Sequence, residues 1–216
     1  MPEAIIYDLD GVLTDTAEYH YRAWKKIAEE LGIPFGRKEN EKLKGLSREK
    51  SLEMILQLGN KQLSAEEKKA LTDKKNLHYQ SLIRELTPAA LLPGIRETLT
   101  YFKQKGIPQA VASSSKNARL ILEKLELNDF FDAVTDGTEI RNAKPDPEIF
   151  LKTAAKMQVS PQGCVVVEDA PAGIGAAKAA GMQAVGIGKK EFLSAADTVI
   201  PSTANLLPVL IKMFAL

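Results

Sequence analysis

One cysteine, Cys164, excludes an intrachain disulfide framework, and its apolar neighbours suggest a buried strand position. Charge of one sign is not in excess either. The 29 Lys and Arg residues face 28 Asp and Glu, so no broad field attracts nucleic acid or an anionic membrane, and neither partner is expected. Any recognition of phosphate must therefore come from a few local cations. No apolar run reaches the length of a membrane span, and the first residues lack the basic and apolar regions of a secretory signal. A cytoplasmic location and a monomer are expected. Internal repeats and low-complexity segments are also missing. What is left, at 216 residues, is one large domain or a domain with a small insert, with ample chain for a core.

The stretch that organises this chain is Ile5-Ile6-Tyr7-Asp8-Leu9-Asp10-Gly11. It begins as an apolar run of the length of a buried parallel strand and then changes character. Residues two apart on a strand point the same way, so Asp8 and Asp10 project together where the strand ends. In open α/β sheets that carboxyl edge is where ligands bind. Two acids there repel unless a cation sits between them or one holds a proton. An Asp-Gly turn accounts for Asp10 and Gly11 but not for the acid inside the apolar run.

Residues 15–87 read as helices only. Asp15-Thr16-Ala17-Glu18 has the form of a capping box with Asp15 as the cap, opening a helix that ends at Gly32. A short helix is expected over 39–44, and another from about Ser47 to Leu58, stopped by Gly59. Ser64-Ala65-Glu66-Glu67 opens a further helix that runs to about Leu86. Beyond Pro93-Gly94 strands alternate with helices: strands over 109–113, 133–135, 164–167, 184–187 and 198–200, helices over 95–105, 117–125, 147–157, 172–180 and at the C-terminus. The pattern predicts an α/β fold, a doubly wound parallel-sheet (Rossmann-like) core over 1–14 and 88–216 with an inserted all-helical cap domain over 15–87.

Three other strand ends carry groups complementary to the two acids. Ser113-Ser114-Ser115-Lys116-Asn117 runs straight into a helix; hydroxyls, a lysine and free amides make a phosphate cradle, while a plain helix cap is the bland alternative. Lys144, in Ala143-Lys144-Pro145-Asp146-Pro147, is fixed by a restricted backbone, and its ammonium can balance an aspartate and a phosphate oxygen. Glu168-Asp169 ends a wholly apolar strand. With Asp8 and a backbone oxygen of residue 10, these acids suit Mg2+, a hard ion that keeps several waters.

In order along the chain, Asp8-Leu9-Asp10-Gly11-Val12-Leu13-Thr14-Asp15-Thr16, Ser113, Lys144 and Glu168-Asp169 resemble the four motifs of the haloacid dehalogenase superfamily, and the helical insert resembles its small cap. A narrower resemblance, to the β-phosphoglucomutase family, lies in Asp15 to His20 with Ala23-Trp24, in Leu43 to Glu49, in Lys75-Asn76 and in Ala112 to Asn117. That family interconverts β-D-glucose 1-phosphate and glucose 6-phosphate through β-glucose 1,6-bisphosphate with Mg2+.

The resemblance implies roles by position. Asp8 is the nucleophile and Asp10 the general acid and base; Asp8, Asp10, Glu168 and Asp169 form the metal site. Ser113 and Lys144, with Ser115 and Lys116 beside them, hold phosphate. Arg48 grips the distal phosphate of the sugar within the loop Lys44-Gly45-Leu46-Ser47-Arg48-Glu49-Lys50. Lys75 and Asn117 line the sugar pocket, and Thr16 is the hinge. Trp24 reads first as core and His20 as packing; the family raises them to a pocket wall and a link to Asp10. His78 reads as solvent-facing. Tyr7 stands where the family more usually has Phe, a departure expected to be neutral. A sugar-phosphate phosphatase would share all four core motifs. A non-catalytic binding protein on this fold would tolerate loss of Asp8 or Asp10, and neither is lost.

Overall fold

The computed structural model describes residues 1–43 and 46–216. In chain order the main elements are β1 (Ala4–Tyr7), α1 (Ala17–Glu30), α2 (Arg37–Glu41), α3 (Arg48–Leu58), α4 (Ala65–Ile83), α5 (Ile95–Gln104), β2 (Gln109–Ala112), α6 (Ala118–Lys124), β3 (Ala133–Thr135), α7 (Glu148–Met157), β4 (Cys164–Glu168), α8 (Pro171–Ala179), β5 (Gln183–Ile187), β6 (Thr198–Ile200) and α9 (Leu206–Phe214). Two compact units result, Met1–Asp15 with Leu86–Leu216, and Thr16–Glu85. No helix among the described residues is long and apolar enough to cross a membrane.

The first unit is a six-stranded parallel sheet in the order β3-β2-β1-β4-β5-β6. The chain order reverses direction at β1, the switch point at which open sheets leave a crevice. The central strands read as unbroken apolar runs because both sheet faces are covered. On one face Ile6, Ala112, Val166 and Ala184 pack under Ile149, Phe150 and Ala154 of α7 and Ile174 and Ala177 of α8. On the other, Tyr7 is fully buried, and its hydroxyl donates to Gln109 Oε1 at 3.0 Å while Gln109 Nε2 donates to Leu99 O at 3.0 Å. A phenylalanine at position 7 would bury equally well but leave that glutamine oxygen without this donor. Burial raises the Tyr7 pKa, so the phenol stays protonated and able to donate.

Register explains why the site collects where it does. Tyr7 pairs with Val111 on one side and Val167 on the other, so one step further on Asp8 stands level with Ala112 and Glu168. The segments flanking the insert also pair within this unit. Leu92 N donates to Leu13 O at 2.9 Å, and Thr14 Oγ1 donates to Ala90 O at 2.8 Å, so the chain leaves and returns side by side.

The second unit is all helical. Trp24, Ile27 and Ala28 of α1 meet Leu52, Ile55 and Leu56 of α3 in its core. Ser47 and Ser64 cap α3 and α4 through their hydroxyls, and Glu67 completes the capping box at α4. Three expectations need correction. Thr16 occupies the cap position of α1 and makes no side-chain cap bond, so Asp15 is not the cap. The fourth helix stops at Ile83 rather than near Leu86, and α2 covers 37–41 rather than 39–44. Lys44 and Gly45 of the expected sugar-binding loop lie outside the described residues.

Candidate active site

The carboxyl edge of the sheet brings Asp8, Lys144, Glu168 and Asp169 together. One oxygen each of Asp8, Glu168 and Asp169 lies within 4.8 Å of the others. Lys144 Nζ donates to Asp8 Oδ1 and to Glu168 Oε1, both at 2.6 Å, and to Ala112 O at 3.2 Å. It thus binds three strand ends that the register has set level. Asp8 is 8% and Glu168 1% exposed, so the ammonium is the principal charge balance that these two carboxylates have in the protein itself.

Electrostatics follow from that crowding. Burial, and the Glu168 and Asp10 carboxylates, raise the Asp8 pKa against the opposing pull of Lys144. Burial lowers the Lys144 pKa, but the Asp8 and Glu168 charges outweigh it and hold the ammonium protonated above the usual lysine range. Asp169, although its surface is open to water, is pushed up to about 7 by desolvation of its carboxyl and by Glu168 and Asp10.

When all three carboxylates are ionised, one ammonium leaves two negative charges unbalanced, which one divalent cation would neutralise. The donors are all hard oxygens, the set that suits magnesium. Two glycines make room for them. A Cβ at Gly173 would stand 1.8 Å from Glu168 Oε1, and one at Gly11 would stand 2.0 Å from Asp169 Oδ2. Gly11 also has φ +78°, which side-chain-bearing residues rarely adopt. Asp10, half-buried, is bridged through its backbone to Thr14 and lies outside the group of three side chains that converge.

The Ser113–Asn117 turn is held by its own hydroxyls. Ser113 Oγ accepts from Ser115 N at 3.1 Å, and Ser115 Oγ accepts from Asn117 N at 3.2 Å, so each O–H can still donate outward. Ser113 and Asn117 are buried and Lys116 is exposed.

In the helical unit, a second cluster forms around Lys75, which is 3% exposed. Its Nζ lies 2.8 Å from His20 Nδ1, 5.0 Å from the Trp24 ring centre and 4.7 Å from that of Tyr79. Tyr79 OH donates to Thr16 Oγ1 at 3.1 Å. Burial first, then the Lys75 and Arg48 charges, hold the His20 pKa well below its ordinary value. The imidazole is therefore neutral, and Nδ1 accepts from the ammonium. Trp24 belongs to the core of this unit, as its helical spacing implied, and also presents its ring to Lys75. Arg48, on the first turn of α3, donates to Asn76 Oδ1 at 2.9 Å, and the Ser47 hydroxyl is engaged by Lys50 N. Leu46, Glu49 and Lys50 are exposed, and His78 is partly exposed on α4. Sequence reasoning missed the His20–Lys75 contact, because no local pattern joins residues 55 apart.

The haloacid dehalogenase-like hydrolase family model matches residues 2–181. The chain belongs to this family. Family members use magnesium, and this chain has an acidic cluster, Asp8, Glu168 and Asp169, with the oxygen donors that could hold a metal ion. The haloacid dehalogenase-like chain is 51% identical over 206 residues to the β-phosphoglucomutase of Bacillus subtilis, covering 94% of this chain and 91% of that protein. It is 33% identical to a phosphorylated carbohydrates phosphatase of Thermotoga maritima, covering 85% and 83%. The crystal structure of β-phosphoglucomutase from Clostridium difficile superposes with a TM-score of 0.90 at 46% identity, covering 99% of this chain and 96% of that one. The chain is a close homologue of these phosphosugar enzymes.

Proposed function

We propose that the chain is a β-phosphoglucomutase, interconverting β-D-glucose 1-phosphate and glucose 6-phosphate through β-glucose 1,6-bisphosphate and a phosphoryl group carried on Asp8. The observation that carries this reading is the 51% identity to the Bacillus subtilis enzyme across 94% of the chain. Asp8 attacks the phosphorus of the bisphosphate, and the bond from phosphorus to the sugar oxygen breaks. A sugar oxygen is a poor leaving group, so Asp10 gives it a proton as it departs. When the other sugar hydroxyl attacks the phosphorylated Asp8, Asp10 takes a proton back. Lys144 offsets the repulsion between carboxylate and phosphate, and Ser113, Ser115 and Lys116 orient the phosphoryl oxygens. Asp8, Glu168, Asp169 and the backbone oxygen of Asp10 would hold magnesium, which would supply further charge neutralisation there.

A mutase must also keep water from taking the phosphoryl group. Arg48 binds the second phosphate of the sugar, with Gly45, Leu46, Ser47, Glu49 and Lys50 around it, while Lys75, Asn117, Trp24 and His20 serve the sugar pocket and Thr16 the hinge. A guanidinium with donors beyond the one given to Asn76 supports that role for Arg48. Binding energy from the remote phosphate then goes into assembling the site. A soluble monomer acting on small sugar phosphates in the cytoplasm completes the reading. The second reading, a sugar-phosphate phosphatase, is favoured by the 33% identity to the Thermotoga maritima phosphatase.

Acid quenching after addition of β-glucose 1,6-bisphosphate, followed by peptide mapping, tests the covalent step. The phosphoryl adduct is expected on the peptide holding Asp8 and absent from Asp8→Asn. An adduct elsewhere, or turnover by Asp8→Asn, would refute the assignment.

A further inference from the structure

Lys144 must meet Asp8 and Glu168 at once, yet it comes from a segment, 136–147, that belongs to no helix or strand. Backbone and side-chain bonds hold that segment at both ends. At its start, Gly137 N donates to Ser115 O at 3.3 Å, and a Cβ on Gly137 would stand 2.2 Å from Ser114 O. Arg119, on α6 just after the serine turn, bonds Asp136 Oδ2 and Glu139 Oε1, both at 3.2 Å. At its end, Glu148 on the first turn of α7 reaches back. One of its oxygens, Oε2, accepts from Arg141 N at 3.0 Å and Asn142 N at 2.8 Å. The other, Oε1, accepts from Lys152 Nζ at 2.6 Å, and the same ammonium donates to Glu139 O at 2.6 Å.

Two consecutive backbone amides aimed at one carboxylate oxygen fix the two peptide planes on either side of the Arg141 Cα, and the second of them ends at Asn142, two residues before Lys144. Lys152 prevents the carboxylate from swinging away. The Lys152 ammonium first, then the Asn142 amide, hold the Glu148 carboxyl down to about 2, so the grip keeps its charge over the working pH range. We infer that Glu148 is a positioning residue: it sets the approach of Lys144 to Asp8 and Glu168 by clamping the Arg141–Asn142 amides. This rests on the reading of Lys144 as a phosphoryl-site cation.

A double-mutant cycle tests it, read on transfer from acetyl phosphate to Asp8 in magnesium. In that step the bond from phosphorus to the acetyl oxygen breaks, a bond to an Asp8 oxygen forms, and acetate leaves without needing a proton. Glu148→Ala is expected to slow single-turnover transfer about tenfold or more, as small misplacements of a reacting group do. Glu148→Gln, which keeps an acceptor for the amides, should recover much of the rate. In a Lys144→Ala background Glu148→Ala should cost less than twofold further. Equal losses in both backgrounds would overturn the proposal and leave the role of Lys144 intact. Normal transfer by Lys144→Ala would overturn both. Should Glu148→Ala fail to fold, Glu148→Asp keeps the charge but shortens the reach; wild-type transfer in that variant would count against the clamp. The readout involves no isomerisation, so it stands apart from the choice between mutase and phosphatase.

Discussion

A methyl group added at Gly173 would stand 1.8 Å from Glu168 Oε1, the oxygen that Lys144 also bonds. Glu168 cannot yield easily, because its other oxygen accepts from Ala170 N at 2.8 Å. Gly173 is thus an opening kept for a carboxylate. Gly173→Ala is expected to weaken magnesium binding at least tenfold while the fold survives, a magnitude typical of disturbed metal surroundings. Isothermal titration with magnesium beside a thermal melt checks it; unchanged affinity would contradict the assignment of Glu168 to the metal.

Lys144→Ala leaves two buried carboxylates facing each other. Removing one partner of a buried ion pair costs about 3 kcal/mol or more. That loss is expected in denaturant unfolding with EDTA and should shrink when magnesium supplies the missing positive charge. Equal losses with and without magnesium would show that the cation does not enter this cluster.

His20 gives a pH dependence whose sign can be worked out. Its folded pKa lies well below the ordinary 6.5, so the unfolded chain binds more protons as pH falls through that value. The neutral imidazole contributes full stability above the unfolded pKa, and stability declines below it. Among the described residues the Lys75 and Arg48 charges oppose protonation of the ring, and Tyr79 packs against it. His20→Gln, whose amide oxygen can accept from Lys75, is expected to flatten the profile of melting temperature against pH on the acid side of neutrality. A slope as steep as in the native chain would place its origin elsewhere.

Much of this was legible in the sequence, for physical reasons that can be named. The strand run at Cys164–Val167 is apolar because both faces of a central parallel strand are buried, and Ser64 with Glu67 spells a cap in four residues. The meeting of Asp8 and Glu168 could be anticipated because each stands at a strand end and parallel strands share one carboxyl edge, whereas Lys144 reaches them from the segment 136–147, outside any strand. Local pattern was not enough at α1, where Asp15 and Thr16 both suit a cap, nor at the end of α4, which stops short of Leu86. The Lys75 cluster joins residues through tertiary placement, and no spacing rule reports it; in the Glu148 clamp the i,i+4 pair with Lys152 follows a helix spacing rule, whereas the bonds to the Arg141 and Asn142 amides depend on how the loop folds back.

Arg48→Ala separates binding of a second phosphate from chemistry at the first. Its isomerase activity is expected to fall at least a hundredfold, while hydrolysis of acetyl phosphate changes by less than threefold, since a remote contact contributes only when the substrate reaches it. Steady-state rates with both substrates decide; parallel losses would argue against a distal-phosphate role.

The central claim is tested most directly by following β-glucose 1-phosphate with phosphorus NMR in the presence of magnesium and catalytic β-glucose 1,6-bisphosphate, with the α-anomer as control. Glucose 6-phosphate appearing from the β-anomer faster than free phosphate is the predicted result. Rapid release of phosphate without isomerisation would contradict it.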